Sequence, residues 1–332
     1  MAGAVSGGAE LFFERLTAAL AADGNAVLPV IRRDVGRAAR LAPLRPVQLR
    51  FGGALDLWTP LRLRRTLRRF APRLVMAWMS RAAAATPRGD WVLTGRLGGY
   101  YDLKRFRHCD HLVANTRGLV GWIADQGWPE ARVHHLPNFA PDLGGAAPAA
   151  LPVPDGAPVV LALGRLHRNK AFDVLVRALP ALPGVHAVVA GDGPERDSLA
   201  ALARREGVSD RFHLLGWRSD GAALLAAATV LACPSRQEPL GNVVLEAFSA
   251  GRPAVAAAVA GPLELIRDGD TGLLVPPEDP AALAAAIERV LDDRVLARTL
   301  ATAARLEYEE VHAEAPVLSR WRAVLNQLAG LP

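Results

Sequence analysis

The sequence predicts an α/β protein of two doubly wound domains, and three observations carry that expectation. Short apolar runs of strand length alternate with segments of helical periodicity along nearly the whole chain, as parallel sheets with helical crossovers require. The alternation starts twice, on either side of residues 140–157, a stretch rich in Pro, Gly and Ala and almost free of charge; a domain linker belongs there, and linkers of this kind also act as hinges. The halves differ in charge as well: residues 1–150 carry 21 Lys and Arg against 11 Asp and Glu, a net of +10, and the remainder carries 18 against 22, a net of −4.

In the first half, residues 7–22 place Phe12, Leu16, Ala19 and Leu20 on one helical stripe, with Glu10 in the first turn. Gly7 and Gly8 stand at the helix entrance, where a glycine pair reads either as close approach of a phosphate to the backbone or as a tight turn. Residues 25–31 and 46–51 read as strands, 56–70 as a helix, and 73–78, 90–94, 111–114 and 132–136 as further strands. The helix at 56–70 aligns Arg62, Arg65 and Arg69 on one face and Leu63, Leu67 and Phe70 on another, with Trp58 near its start. It reads either as a docking surface for anionic lipid headgroups or as the solvated face of an arginine-rich protein.

The second half is cleaner. Strands are expected at 158–163, 185–190, 212–215, 229–233, 253–257 and 273–275. Helices are expected at 171–179, 194–205, 220–227, from about 242 to Gly251, and at 280–291, where a Pro-Glu-Asp-Pro signal opens the last of these. The expected domains are 1–145 and 155–310, with 311–332 a helical tail packing back on the N-terminal domain.

Hydrophobic content of 51% with 22% charge, over 332 residues, is that of a chain with two sizeable cores, so disorder is not expected. Cys109 and Cys233 are far apart and have no metal-ligand spacing, which argues against a disulfide framework or a zinc site and fits a reducing cytoplasm. No run approaches the roughly 20 apolar residues of a membrane-spanning helix. Residues 1–8 lack the basic and apolar regions of a signal peptide. The expected location is the cytoplasm, with peripheral attachment at the inner face of the plasma membrane. The basic N-terminal excess implies an anionic partner; no nucleic-acid reading motif accompanies it, so lipid is favoured over nucleic acid.

In open α/β sheets ligands bind beyond the carboxyl ends of the strands, so the loops after strands hold the candidate chemistry. Gly164-Arg-Leu-His-Arg-Asn-Lys170 follows the first strand of the second half, Gly191-Asp-Gly-Pro194 the second, Gly216-Trp-Arg218 the third, and Ser235-Arg-Gln-Glu238-Pro-Leu-Gly241 the fourth. Arg165 and Lys170 supply two cations suited to a diphosphate. Lys170 is one of two lysines beside 37 arginines, which points to a compact point charge at that position. Gly164 and Gly191 read equally as turn residues. Glu238 lies in a loop and Glu246 about one turn inside the following helix; helical side chains lean toward the N-terminus, so both carboxylates reach the same helix end. Like charges repel, so they suit neutral hydroxyls of a sugar or ribose rather than phosphate. No P-loop, HExxH, nucleophile elbow or dinucleotide fingerprint is present.

Together these residues resemble the retaining glycosyltransferases of family 4, the group 1 glycosyl transferases. The resemblance rests on Gly7-Gly-Ala-Glu10, Pro137-Asn-Phe139, Gly164-Arg-Leu with Lys170 and Asp173, Gly191-Asp-Gly-Pro194, Glu238-Pro-Leu-Gly-Asn-Val-Val-Leu-Glu246, Gly261-Pro-Leu-Glu264 and residues 268–275. It implies the GT-B architecture, two doubly wound Rossmann-like domains facing across a cleft. It also implies transfer of a sugar from a nucleotide-diphosphate donor to an acceptor hydroxyl, with retention, no metal and no cofactor. By position, Arg165 and Lys170 would hold the diphosphate, Glu238 the donor sugar and Glu246 the ribose. Leu240, Gly241 and Asn242 would present backbone N–H groups, and Val243, Gly8, Gly164 and Gly191 would complete the donor site. The acceptor would be a glycan or lipid-linked saccharide of cell-surface polysaccharide, lipopolysaccharide or glycolipid synthesis.

Two departures stand out. A strand normally precedes the Gly-Gly-Ala-Glu element, and only Met1–Ser6 does so here. Many relatives carry a donor-contacting histidine after the strand at 91–94, where this chain has Gly95-Arg96-Leu97, so either Arg96 takes that contact or the donor differs. Two other functions share the fold, a binding protein without activity and a sugar epimerase or phosphorylase; slow release of nucleoside diphosphate from a donor separates the first, and product formation without an acceptor alcohol the second.

Overall fold

The computed structural model describes residues 1–3, 8–53 and 56–330, and Gly7 falls outside them. The chain divides into two compact units, Met1–Phe139 with Ala315–Pro332, and Ala140–Glu314.

The strands of the first unit are β1 (Val30–Arg32), β2 (Val47–Leu49), β3 (Leu74–Trp78), β4 (Val92–Leu97), β5 (His111–Ala114) and β6 (Val133–His135). They form two separate parallel sheets, β1-β2 and β3-β4-β5-β6. Successive strand residues face opposite sides: Leu112 and Ala114 of β5 enter one apolar layer and Val113 the other. The helix Gly8–Ala22 buries Phe12, Phe13, Leu16 and Ala19, and the helix Trp58–Phe70 buries Leu63 and Leu67. The last helix, Glu314–Leu328, inserts the fully buried Trp321, whose indole N–H donates to the Pro137 carbonyl at 3.0 Å.

Three expectations for this half are corrected. The strand at 25–31 reduces to Val30–Arg32, because β2 faces only those three residues and Pro29 has no N–H to give a ladder. The helix at 56–70 starts at Trp58: the Asp56 carboxylate accepts from the backbone N–H groups of Gly52 (2.7 Å) and Thr59 (3.0 Å) and so stands outside the helix as its cap. The strand at 90–94 runs from Val92 to Leu97, because β3 and β5 pair with it on both sides. Gly95 is therefore no strand terminator; a Cβ there would lie 2.6 Å from the Phe106 ring, and its absence is what lets Phe106 pack on the sheet.

The second unit holds one six-stranded parallel sheet of β7 (Val159–Leu163), β8 (His186–Ala190), β9 (Phe212–Gly216), β10 (Val230–Cys233), β11 (Ala254–Ala257) and β12 (Leu273–Val275). Val160 and Ala162 of β7 enter one core layer while Val159 and Leu161 enter the other, so the central strands are covered on both faces and read as continuous apolar runs. The order is β12-β11-β10-β7-β8-β9. This is the doubly wound arrangement, and it reverses direction between β7 and β10, the place where such sheets open a crevice for ligands.

Candidate functional site

Because β7 and β10 are neighbours, the loops that follow them meet although they are far apart in sequence. The second is tied to the first by its backbone: Arg236 N–H donates to the Asn169 carbonyl at 2.8 Å. The first is tied to the loop after β8, where Leu166 N–H donates to the Asp192 carbonyl (3.0 Å) and Glu195 N–H to the Leu166 carbonyl (3.1 Å). The backbones approach so closely that a Cβ at Gly191 would stand 1.8 Å from the Gly164 oxygen, and one at Gly193 2.4 Å from the Leu166 oxygen. Only glycine fits at either position.

Lys170 crosses this floor. Its Cε lies 3.2 Å from where a Gly164 Cβ would be, so Gly164 gives the lysine stem room to lie flat. Its Nζ forms an ion pair with Glu238 Oε2. Burial pushes the Lys170 ammonium down, but the Glu238 carboxylate, helped by Glu246 further on, outweighs it and holds the group above its ordinary value. Lys170 is therefore charged throughout the neutral range.

Glu238 is fixed from three further directions. Ser235 Oγ donates to Oε2 at 3.3 Å, the Gly241 N–H donates to Oε1 at 3.3 Å, and the Glu238 carbonyl accepts from the Gly261 N–H at 2.8 Å. Gly261 is packed so closely that a Cβ would fall 2.4 Å from the Leu240 carbonyl carbon. Gly241 has φ of 87°, left-handed backbone that glycine adopts freely, and it turns the chain into the helix Asn242–Ser249. Leu240 is buried beneath this turn, Asn242 and Val243 form its first residues, and Glu246 sits one turn in. The positive end of the helix dipole at this start and the adjacent ammonium favour an anion.

The expected residues thus fall into distinct places. Gly164, Lys170, Glu238, Leu240, Gly241, Asn242, Val243 and Glu246 gather around one helix start, and Gly191 supports it from below. Arg165 is exposed and makes no ion pair among the described residues. Gly8 opens the helix Gly8–Ala22 in the first unit. Arg96 points inward: it is 2% exposed, lies in β4, donates to Asn138 Oδ1, and is stacked by Trp78 (4.5 Å), Phe12 (5.0 Å) and Trp321 (5.8 Å). Its guanidinium is enclosed in the core of the first unit, which counts against the alternative in which Arg96 takes the donor contact.

Arg236 was missed. It forms two hydrogen bonds to the Asp173 carboxylate (2.8 and 2.7 Å), pairs with Glu278, and donates to the Arg168 carbonyl at 2.8 Å. Burial raises the Asp173 carboxyl, but the Arg236 guanidinium outweighs it and holds the group below its ordinary value. This network clamps the loop bearing Glu238 onto the loop bearing Lys170. Asp173 also pairs with Arg177 one helical turn on, at 3.1 Å, so its charge gave no sequence signal that pointed to Arg236.

Comparison with known proteins adds the family of the chain. Residues 157–293 fit the model of glycosyl transferases group 1, and residues 6–141 that of glycosyltransferase family 4. The chain is 37% identical over 306 residues to the lipopolysaccharide core biosynthesis glycosyltransferase LpsE of Rhizobium meliloti (strain 1021), covering 89% of this chain and 88% of LpsE. It is 32% identical over 304 residues to LpsD of the same organism, with the same two coverages. Among solved structures, Anabaena HepE in complex with UDP and glucose superposes with a TM-score of 0.83 over 98% of both chains at 22% identity, a likeness of fold.

Proposed function

Since this chain belongs to the family 4, group 1 glycosyltransferases, we propose that it transfers a sugar from a nucleotide-diphosphate donor to an acceptor hydroxyl with retention at the anomeric carbon. The observation that carries this reading is the Lys170–Glu238 pair at the start of the helix Asn242–Ser249. As the glycosidic bond breaks, negative charge grows on the departing diphosphate. Lys170, Arg165 and the helix start at Asn242 would stabilise it, which is where preorganised charge contributes most to rate. Glu238 accepts from a hydroxyl of the donor sugar and Glu246 from the ribose, carboxylate oxygens being strong acceptors of hydroxyl hydrogen bonds. The positive charge a metal would bring is supplied by the two side chains, so turnover is expected to persist in a chelator. In this reading the leaving phosphate itself takes the acceptor proton, and no protein nucleophile is assigned.

The coverage of LpsE supports an acceptor in lipopolysaccharide core assembly, and the UDP in HepE makes a uridine nucleotide the first donor to try. The helix Trp58–Phe70 exposes Arg62, Arg65 and Arg69 beside Trp58 and Leu61, which supports attachment to an anionic membrane at the cytoplasmic face; no helix among the described residues is long and apolar enough to cross one. Equal sedimentation with anionic and neutral vesicles at low salt would remove the attachment.

The test of the activity is thermal shift with UDP, GDP and ADP, followed by release of nucleoside diphosphate from the matching sugar donors. A true ligand at about 100 times its Kd adds about 2.7 kcal/mol of apparent stability. Lys170→Ala and Glu238→Gln should each lower turnover by about 10²–10³-fold, with circular dichroism unchanged. Full activity in both variants would overturn the site, and no shift with any nucleotide would overturn the donor class.

A further inference from the structure

The helix Asn242–Ser249 has eight residues, about 12 Å of length, and its N-cap Gly241 has no side chain to hold the start. Its other end is held with more care. The Glu246 carbonyl accepts from the Ala250 N–H (3.0 Å) and the Ser249 hydroxyl (2.9 Å), the Phe248 carbonyl from the Gly251 N–H (3.0 Å), and the Ala247 carbonyl from the Arg252 N–H (2.9 Å). This is the bonding pattern that closes a helix through a glycine. It leaves the carbonyl of Ser249, a residue with no exposed surface, and a buried carbonyl needs a donor. Arg305 is that donor, through Nη1.

The same guanidinium reaches the start of the stretch at 140–157 that reads as a linker. Nη1 and Nη2 grip the two oxygens of the Asp142 carboxylate at 2.6 and 2.8 Å, Nε pairs with Glu309 at 2.6 Å, and the Tyr308 ring lies 5.1 Å away. The Gly144 N–H also donates to Asp142, at 2.9 Å. Arg305 first, and Gly144 next, hold the Asp142 carboxyl down at about 2, so the pair stays ionised through the neutral range. Tyr308 opens a π-helical turn, Tyr308–His312. Its hydroxyl donates to the Ala140 carbonyl (3.1 Å), and the Ala140 N–H donates to the His312 carbonyl (3.3 Å). The second unit begins at Ala140 and ends at Glu314, so one arginine joins the helix end to both ends of the unit.

We infer that Arg305 is a positioning residue for nucleotide binding: it braces the C-terminal end of the helix Asn242–Ser249 against Asp142 and so couples the helix start to the segments where the second unit begins and ends. The inference rests on the reading of that helix start as the donor site. A two-turn helix is stiff over its length, so a shift at Ser249 carries Asn242, Val243 and Glu246 with it. Coupling of this kind is reciprocal: a nucleotide that fixes the helix start also steadies residues 140–144.

The first arm of the experiment needs no ligand. Arg305→Met should speed deuterium exchange at the Val244 and Leu245 amides by about fivefold or more, while the amides of β8 in the same unit keep their rates. The second arm uses whichever of UDP, GDP and ADP stabilises the unaltered chain. Its Kd should rise about tenfold in Arg305→Met, the equivalent of one charge-assisted hydrogen bond. In Arg305→Lys the rise should be only about threefold, because a single ammonium reaches the carbonyl or the carboxylate but does not fork to both. The nucleotide should slow exchange at Ala140 and Gly144 in the unaltered chain and leave both unchanged in Arg305→Met. Asp142→Asn alters an exposed side chain and leaves the buried carbonyl bonded, so it should fold and raise Kd about twofold; it decides the matter if Arg305→Met does not fold. Exchange at Val244 and Leu245 that is unchanged, or accelerated equally with β8 as a general loss of stability would produce, overturns the inference. A nucleotide that binds the unaltered chain and the variants with the same Kd overturns it alone. Absence of binding to the unaltered chain overturns the donor reading, and this inference with it.

Discussion

The two units solve the same problem of covering a parallel sheet, and they do so unequally. In the second, six strands run without a break and the loops after β7 and β10 meet at the reversal of strand order. In the first, the strands are split into two and four, with a cavity between them. The difference teaches where precision is needed. Lys170 and Glu238 can face each other only if the strands below them hold register, whereas the first unit carries a gap that Trp78 and Trp321, two of the rings around Arg96, themselves line.

The contrast is sharpest in how each unit treats a cation. Lys170 has a carboxylate partner and keeps part of its side chain exposed. Arg96 has three aromatic rings and an amide; its Nε is buried with no hydrogen-bond partner among the described residues, and burial pushes the guanidinium down to about 9. One charge is paired with a carboxylate and the other is enclosed among rings.

The largest expected effect breaks the second unit. Gly261→Ala forces a methyl into the Leu240 carbonyl and displaces the loop that carries Glu238. Overpacking of this kind costs about 1–3 kcal/mol, and loss of Glu238 placement should lower turnover by about 10²-fold. Urea unfolding together with steady-state kinetics checks both; a variant with ordinary turnover would show that the loop is held by Arg236 alone.

Next comes the same substitution in both cations. Lys170→Met leaves the Glu238 carboxylate largely enclosed without its partner, and should cost about 1–3 kcal/mol. Arg96→Met keeps a chain of similar length among the rings and removes an enclosed charge, so it should be neutral or stabilising, as replacement of buried charges by apolar groups often is. Arg96→Ala, which leaves a void instead, should cost about 2–4 kcal/mol. If both methionine variants shift the urea midpoint equally, the two cations are not different in kind.

What was legible in the sequence follows the same division. The meeting of Lys170 and Glu238 could be read because loops after parallel strands share a rim, and the glycines at 191 and 261 mark where backbones crowd. Arg236 escaped notice because one arginine among 37 carries no local signal; its meaning lies in Asp173 and Glu278, reached only through the fold. In the first half, three-residue strands are too short for periodicity to bound them. Gly95-Arg96 read as a break because glycine and arginine are poor strand interiors, and neither the Phe106 ring that needs the glycine nor the rings that enclose the arginine are neighbours in sequence.

The smallest expected effect is one the units share. Each carries a histidine pair across neighbouring parallel strands: His134 Nε2 lies 3.1 Å from His111 Nδ1, and His186 Nδ1 lies 3.0 Å from His213 Nε2. A hydrogen bond between two imidazoles needs one donor and one acceptor nitrogen, so at least one ring in each pair is neutral. Burial lowers His111, with Asp110 opposing and Arg132 assisting; burial and His111 lower His134; burial and His186 lower His213, with Asp210 opposing. A folded-state value below the unfolded one, about 6.5, means that the unfolded chain binds more protons as pH falls. Stability is then full above about 6.5 and declines as pH drops through the lowered values. The urea midpoint should be lower at pH 5.5 than at pH 7.5, and the gap should narrow in His134→Gln/His213→Gln, whose amides keep a hydrogen-bonding group without the charge. Because the first unit's pair lies in the shorter sheet, His134→Gln alone should narrow it more than His213→Gln alone; the reverse order would make the second unit the one whose unfolding limits the chain.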